Sequence, residues 1–276
     1  MTNPPLHSAE IARSLMHGLD FNGQPCLPAL VSEKLNGLRC VYMPGRGFYS
    51  KTGKRWRDDV LAHITVNSDV PVDGELYCRD MSLQDIVDNV SVNNLSAGSR
   101  AGEIKLWAFD VINKDSAFKR NITVGDVADN STNVVFHVQH LCETRESYRG
   151  WLEYLKRVGA EGAMVKGTGS MYQRGRKGQL LKIKFFQHIE LPLQYVIEGS
   201  GKAAGAVGAF VFELAGKRFE VGTAQISYDK RREVWEKYDK SPLGSYGYLC
   251  RIRYLNLSDA GIPLNASVEA IYEDVL

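Results

Sequence analysis

The 276-residue chain has no long uncharged apolar run, so nothing in it reads as a membrane-spanning helix. Its first residues, MTNPPLHSAEIARSLMHGLD, lack a basic stretch leading into an apolar core, which argues against a secretory leader. No Cys-x-x-Cys pair occurs, and the five cysteines (Cys26, Cys40, Cys78, Cys142 and Cys250) are scattered and odd in number. That pattern suits neither a zinc site nor a disulfide framework and reads as reduced thiols in a cytoplasm. The formal charge is only +2 and there is no polybasic tail, so a surface for an anionic polymer has to come from local clusters of Lys and Arg. Internal repeats and low-complexity tracts are also lacking. What remains is ordinary globular composition, 44% apolar and 24% charged, enough for one large core or two smaller ones. The expectation is a soluble, unsecreted protein with no membrane partner.

The apolar patterning divides the chain. SAEIARSLMHGL, with Ser8 as cap and Ile11, Leu15, Met16 and Leu19 on one side, predicts a short packed helix. From Pro28 to about Leu76 the pattern changes to short β-type runs, LRCVYM, GFYS and VPVDGELY, between Gly, Pro and Asn turns. IKLWAFDVI has the continuous apolar character of a buried central strand. ESYRGWLEYLKRVG spaces Tyr148, Trp151, Leu152 and Leu155 as one helix face and stops at Gly159. GAMVKG and LLKIKFF read as strands, and Leu191-Pro192 marks a break.

Beyond that break the strands PLQYVIEG, AFVFEL, RFEVGTA and LCRIRYLNL, with AGK as a hairpin turn and KRREVWEKY as a helix, suit a small barrel of the oligonucleotide-binding kind. The predicted organisation is therefore α+β, with an α/β-mixed domain over residues 1–190 and an all-β barrel over 191–276.

LVSEKLNGLRC, Leu30 to Cys40, carries the chemistry. Alone, Lys34 beside Glu33 is an ordinary ion pair at a strand end. As a nucleophile its amine must be neutral, and an unperturbed lysine of pKa ~10.4 is only about 0.04% neutral at pH 7. Burial or neighbouring cations supply the neutral form, so a functional Lys34 requires other cations around it. In LLKIK, Lys182 and Lys184 share one strand face at period two, a costly arrangement unless an anion such as phosphate sits there. Glu75 and Glu161, each beside a glycine, offer carboxylates to a hard cation, and so small a set suits Mg²⁺ shared with substrate phosphates.

The ordered set EKLNGLR, SKTG, VDGEL, AFDVI, AEGAMVK and LLKIK, spanning roughly residues 30 to 184, resembles the motifs of ATP-dependent DNA ligases. IEGSGKAAGAVGAFVFELAGKRFEVGT and YLNLSDAGIPLNAS resemble that family's C-terminal barrel, so the likeness covers nearly the whole chain and points to the small bacterial and phage type. It implies a nucleotidyltransferase (ATP-grasp-like adenylation) domain followed by an oligonucleotide-binding barrel. It also implies ATP as AMP donor, Mg²⁺ (or Mn²⁺) as metal, nicked duplex DNA as partner, and a monomer in the cytoplasm of a bacterium or phage-infected host. By the same resemblance Lys34 is the nucleophile, and Arg39 and Glu75 hold the ribose. Phe109 stacks on adenine, Ser32 and Glu33 lie near the adenine edge, and Lys182 and Lys184 grip the α-phosphate. Lys51 meets the 5′-phosphate, and Glu75 and Glu161 serve the metal. Lys202, Arg218, Arg251 and Arg253 are candidates for duplex phosphates.

Three positions depart from the family pattern. Asn36 stands where Asp is usual, Lys51 where Arg is usual, and Tyr272, before Glu273 and Asp274, where an arginine orients pyrophosphate. Pro263-Leu264 likewise replaces Pro-Arg. The expectation is slower self-adenylylation with sealing by preloaded enzyme intact. RNA ligases and capping-type guanylyltransferases share the lysine motif and form the main alternative, and a non-catalytic nick-binding protein is a third reading. NAD-dependent ligases carry an extra N-terminal domain, for which about thirty residues before Lys34 leave no room.

Overall fold

The structure is a computed structural model that describes residues 25–91, 99–173, 180–240, 247–258 and 260–273. The helix expected within residues 8–19, and Asp274, lie outside the described residues. The chain clusters into two compact units, 1–183 and 184–276.

The first unit is built on two sheets. In chain order its elements are β1 (Ala29–Glu33), β2 (Leu38–Met43), β3 (Gly47–Ser50), β4 (Val72–Tyr77), α1 (Leu83–Ser91), β5 (Lys105–Val111), α2 (Ala117–Asp129), β6 (Val134–Phe136), β7 (His140–Cys142), α3 (Arg145–Arg157), β8 (Gly162–Gly167) and β9 (Leu180–Lys184). One sheet has the order β3-β2-β4-β5-β6, antiparallel apart from the parallel β5/β6 pair. The other has the order β7-β1-β8-β9, with β1 antiparallel to both β7 and β8.

Period-two alternation gives the five-stranded sheet two different faces. Cys40, Val72, Leu76, Leu106 and Ala108 point into the core with Ile86 and Ile104 from neighbouring segments. Each fully buried Leu or Ile there contributes roughly 2–3 kcal/mol. The residues between them, Arg39, Asp73, Glu75, Trp107 and Phe109, are thereby committed to the opposite face, where the polar chemistry gathers.

α3 forms as its spacing predicts. Thr144 and Ser147 make a reciprocal capping box, Tyr148 and Leu155 are buried, and Gly159 (φ 78°) takes the left-handed position past the C-terminus. α2 was not legible in the same way, since AFKRNITVGDVAD is rich in β-branched residues and contains Gly125. Its packing against β5 and β6 overrides that weak propensity.

The second unit contains β10 (Gln187–Pro192), β11 (Tyr195–Glu198), β12 (Val207–Leu214), β13 (Lys217–Gly222), α4 (Tyr228–Lys240), β14 (Leu249–Tyr254), β15 (Asn256–Leu257), β16 (Pro263–Leu264) and β17 (Ser267–Tyr272). Its main sheet runs β10-β14-β17-β13-β12-β11, antiparallel except for β13 beside β17, and β10 also lies against β12, curling the sheet on itself. The turn at AGK is a tight hairpin with Ala215 (φ 50°) and Gly216 (φ 75°) both left-handed, matching the twist of the flanking strands. Leu191-Pro192 does not break the chain as the sequence suggests. Pro192 is the last residue of the edge strand β10, where a missing N–H is tolerated. α4 packs Val234, Trp235 and Tyr238 onto the barrel core and ties its lysines Lys230 and Lys237 to Glu273 at the end of β17.

Candidate active site

Lys34 follows a strand that is almost wholly buried. β1 is clamped between β7 and β8, and the Lys34 N–H extends the ladder by donating to the Gly162 carbonyl at 2.9 Å. That pairing brings the lysine level with Glu161 at the head of β8, and Nζ lies 2.6 Å from Glu161 Oε2, with both side chains largely shielded from water. The two residues that the sequence singled out as nucleophile and metal carboxylate are thus in direct contact.

Gly37 explains how β1 turns into β2 beside β4. A Cβ there would stand 2.4 Å from the Leu76 carbonyl oxygen and 2.7 Å from Glu75 Cγ, so only glycine fits. The close approach places the Gly37 N–H on Glu75. Burial pushes the Glu75 carboxyl up to about 7, against the pull of Arg39, Lys34 and that N–H.

Arg39 pairs across the strands with Glu75, while its guanidinium is gripped by both oxygens of Asp73. Asp73 also accepts from the Tyr172 hydroxyl at 2.7 Å. The other face of the guanidinium stacks on Phe109, 5.0 Å from the ring centroid. Phe109 reaches this face because the β4/β5 register slips between Asp73 and Gly74. Ala108 and Asp110 oppose Gly74 and Asp73, leaving Phe109 as the extra residue of a bulge.

Lys182 on β9 is solvent-exposed along the strand yet feels the charges of this group. Its ammonium is disfavoured by burial first, then by the charges of Lys51, Lys34 and Arg39 in turn, with Glu75 opposing them. Residues as far apart in sequence as 34, 39, 51, 75 and 182 therefore share the electrostatic environment of Lys182. Lys51 itself is exposed in the turn after β3. Lys184, two residues along β9, is exposed and begins the second unit. Ser32 and Glu33 line a cavity of about 180 Å³ with Trp107, His137 and Trp151, whereas Phe109 is not among its walls. Of the cavity's histidines, His137 Nε2 bonds the Glu33 carbonyl oxygen at 2.8 Å, and His140 stacks on Trp151.

The carboxylates present suit the metal expected. Among the described residues no group of three or more His, Cys, Asp or Glu could hold an ion by itself. Glu75, opposite Arg39 on the five-stranded sheet, and Glu161, ahead of β8 and paired with Lys34, are hard oxygen donors of the kind Mg²⁺ takes alongside water and substrate phosphate.

Sequence reasoning missed the buried charges that stand behind these groups. Asp73 lies inside the quoted VDGEL, two residues before Glu75 and so on the same face as Arg39, a periodicity that would have found it. Lys166, Asp110 and Arg120 form a buried cluster. Lys166 Nζ donates to Asp110 Oδ2 at 2.9 Å, and Arg120 Nε donates to Asp110 Oδ1 at 2.6 Å. Arg120 also binds the carbonyl oxygens of Asp115 and Ser170. Nothing local in the sequence joins these residues, which come from β8, β5 and α2.

In the second unit, Lys202 lies in the short 3₁₀ turn Gly201–Ala203, Arg218 on β13, and Arg251 and Arg253 on β14. Lys202 and Arg218 are exposed, whereas Arg251 and Arg253 are partly buried. Arg218 bridges to Glu213 at 3.4 Å and Arg251 to Glu269 at 3.5 Å, while Arg253 lies over the Phe186 ring at 4.1 Å.

Comparison with known proteins agrees with this architecture. Residues 198–271 match the family described as DNA ligase OB-like domain. A DNA ligase of Haemophilus influenzae is 22% identical over 246 residues, covering 88% of this chain and 86% of that protein. Among solved structures, a Lig E DNA ligase described as binding DNA with a minimal scaffold superposes with a TM-score of 0.70 at 23% identity, over 89% of this chain and 93% of that one. The ATP-dependent DNA ligase of bacteriophage T7, in complex with ATP, gives a TM-score of 0.50 at 14% identity over 96% of each chain. The resemblance carried by the sequence motifs stands, and the α+β fold with its oligonucleotide-binding module is the fold of these proteins.

Proposed function

We propose that this chain is an ATP-dependent DNA ligase that seals nicks between a 3′-hydroxyl and a 5′-phosphate in duplex DNA. The observation that carries the reading is the Lys34–Glu161 pair at 2.6 Å, set in one electrostatic environment with Arg39, Lys51, Glu75 and Lys182. A half-buried Lys34 paired with Glu161, in a site that also gathers Arg39 and Lys182, suits a visiting polyanion.

The reaction follows from these groups. Lys34 Nζ, after losing a proton, attacks the α-phosphorus of ATP; an N–P bond forms as the P–O bond to pyrophosphate breaks. A 5′-phosphate oxygen at the nick then takes the adenylyl group from Lys34, and the N–P bond breaks. The 3′-hydroxyl finally attacks that 5′-phosphorus, loses its proton, and releases AMP as the phosphodiester closes. Glu161 aims Lys34 Nζ, and Lys182 and Lys51 offset charge on the phosphates. Glu75 accepts from the ribose beside Arg39, and Phe109 offers a face to the adenine. Mg²⁺, which Glu75 and Glu161 would hold, neutralises phosphate charge when bound. Lys184, Ser32 and Glu33 complete the proposed nucleotide contacts. Lys202, Arg218, Arg251 and Arg253 are proposed to meet duplex phosphates.

The functional boundary is placed near residue 190, with adenylation before it and the barrel after it. A cytoplasmic monomer is the proposed working form, in keeping with five unpaired thiols. Tyr272 and Asn36 would slow self-adenylylation relative to sealing; equal single-turnover rates for the two steps would contradict that. The match to a DNA ligase OB-like domain favours DNA over RNA as substrate. Labelled ATP and, separately, GTP incubated with the chain decide the donor. Label from ATP on Lys34, chased onto a nicked DNA duplex, is expected; label from GTP alone would favour a capping-type enzyme.

A further inference from the structure

The Phe109 bulge is held from behind. Its carbonyl oxygen has left the β5 ladder and accepts two side-chain hydrogen bonds, from Gln139 Nε2 at 2.6 Å and from Lys166 Nζ at 3.1 Å. Both donors are buried. They come from separate segments: Gln139 from the link between β6 and β7, and Lys166 from β8. Lys166 is held in turn by Asp110, the residue next to Phe109, and Asp110 is held by Arg120. The freedom left to the bulged residue is that of its ring, which lies over Arg39.

We infer that Gln139 and Lys166 are positioning residues for nucleotide binding: by clamping the Phe109 carbonyl they fix the bulge that presents the Phe109 ring and the Arg39 guanidinium as one platform. The inference rests on the proposed ligase function. A carbonyl displaced from its ladder must find donors inside the protein, and these donors also dictate which way the peptide faces. Removing one leaves a buried acceptor half-satisfied and lets the peptide turn, so the ring loses its aim while Lys34 and Glu161 are untouched. The effect belongs on nucleotide capture more than on phosphoryl chemistry.

The test is a double-mutant cycle on self-adenylylation with ATP, using Gln139→Leu, Phe109→Leu and the pair. Gln139→Leu is expected to raise the ATP concentration for half-maximal labelling about tenfold, with a smaller effect on the limiting rate. Phe109→Leu is expected to act in the same direction, and the double variant to be no worse than the worse single one, because both remove the same platform. Should Gln139→Leu melt far below the wild type, Lys166→Arg, which keeps an N–H donor, is compared with Lys166→Met for the same split. A variant indistinguishable from wild type, losses that add, or an effect confined to the limiting rate would each overturn the inference. A wild-type chain that takes no label from ATP overturns the ligase reading itself, and this inference with it.

Discussion

Glu75→Gln isolates a carboxylate of the site that burial perturbs strongly. Burial raises Glu75 from an ordinary 4.5 to about 7, so desolvation outweighs the attraction of Arg39 and Lys34. A raised acid favours its protonated form in the folded state. Between pH 4.5 and 7 the folded chain therefore binds more protons than the unfolded one, and stability falls as pH rises through that window. At 1.36 kcal/mol per pH unit the loss is about 3 kcal/mol by pH 8. Glutamine does not titrate, so the stability difference between Glu75→Gln and wild type should move by up to that amount in favour of the variant from pH 4.5 to pH 8. Urea denaturation at the two pH values, followed by tryptophan fluorescence, measures it; Trp56, Trp107 and Trp151 all belong to the unit concerned. A difference between variant and wild type that does not change with pH would refute the assignment of burial as the dominant influence.

Gly37→Ala would force a Cβ to within 2.4 Å of the Leu76 backbone; an overpacking cost of about 1–3 kcal/mol and loss of labelling at Lys34 are expected, read by melting and by ATP label. Arg120→Met strands Asp110 with Lys166 alone and should cost about 3–5 kcal/mol in denaturation, the scale for breaking a buried ion pair; a change below about 1 kcal/mol would mean the cluster is dispensable. Replacing Arg251 and Arg253 together by alanine should weaken duplex binding similarly across sequences and flatten the dependence of log affinity on log salt by about one for each phosphate no longer neutralised; an unchanged slope would remove them from the DNA surface.

Strands were legible because their signals are local. LRCVYM and GFYS form β2 and β3 with the expected residues, and the left-handed Ala215-Gly216 turn follows from AGK. Glu75 and Glu161 stand out in the sequence because each sits beside a glycine at a strand end, and the structure sets Glu75 opposite Arg39 and Glu161 on Lys34. The bulge at Phe109 was not legible, since a one-residue slip against β4 depends on pairing across the sheet. The Gln139–Lys166–Asp110–Arg120 support was hidden for the same reason: its members are charged or polar residues in otherwise apolar or helical runs, joined only by tertiary structure. Asp73 was within reach, since its period-two spacing from Glu75 already placed it on the Arg39 face.

The central claim is that Lys34 carries the adenylyl group between ATP and a DNA nick. Sealing of a fluorescent nicked duplex by wild type and Lys34→Ala, with ATP and Mg²⁺, tests it most directly. The account predicts ligated product and a labelled chain for wild type and neither for the variant; ligation that persists in Lys34→Ala would contradict it.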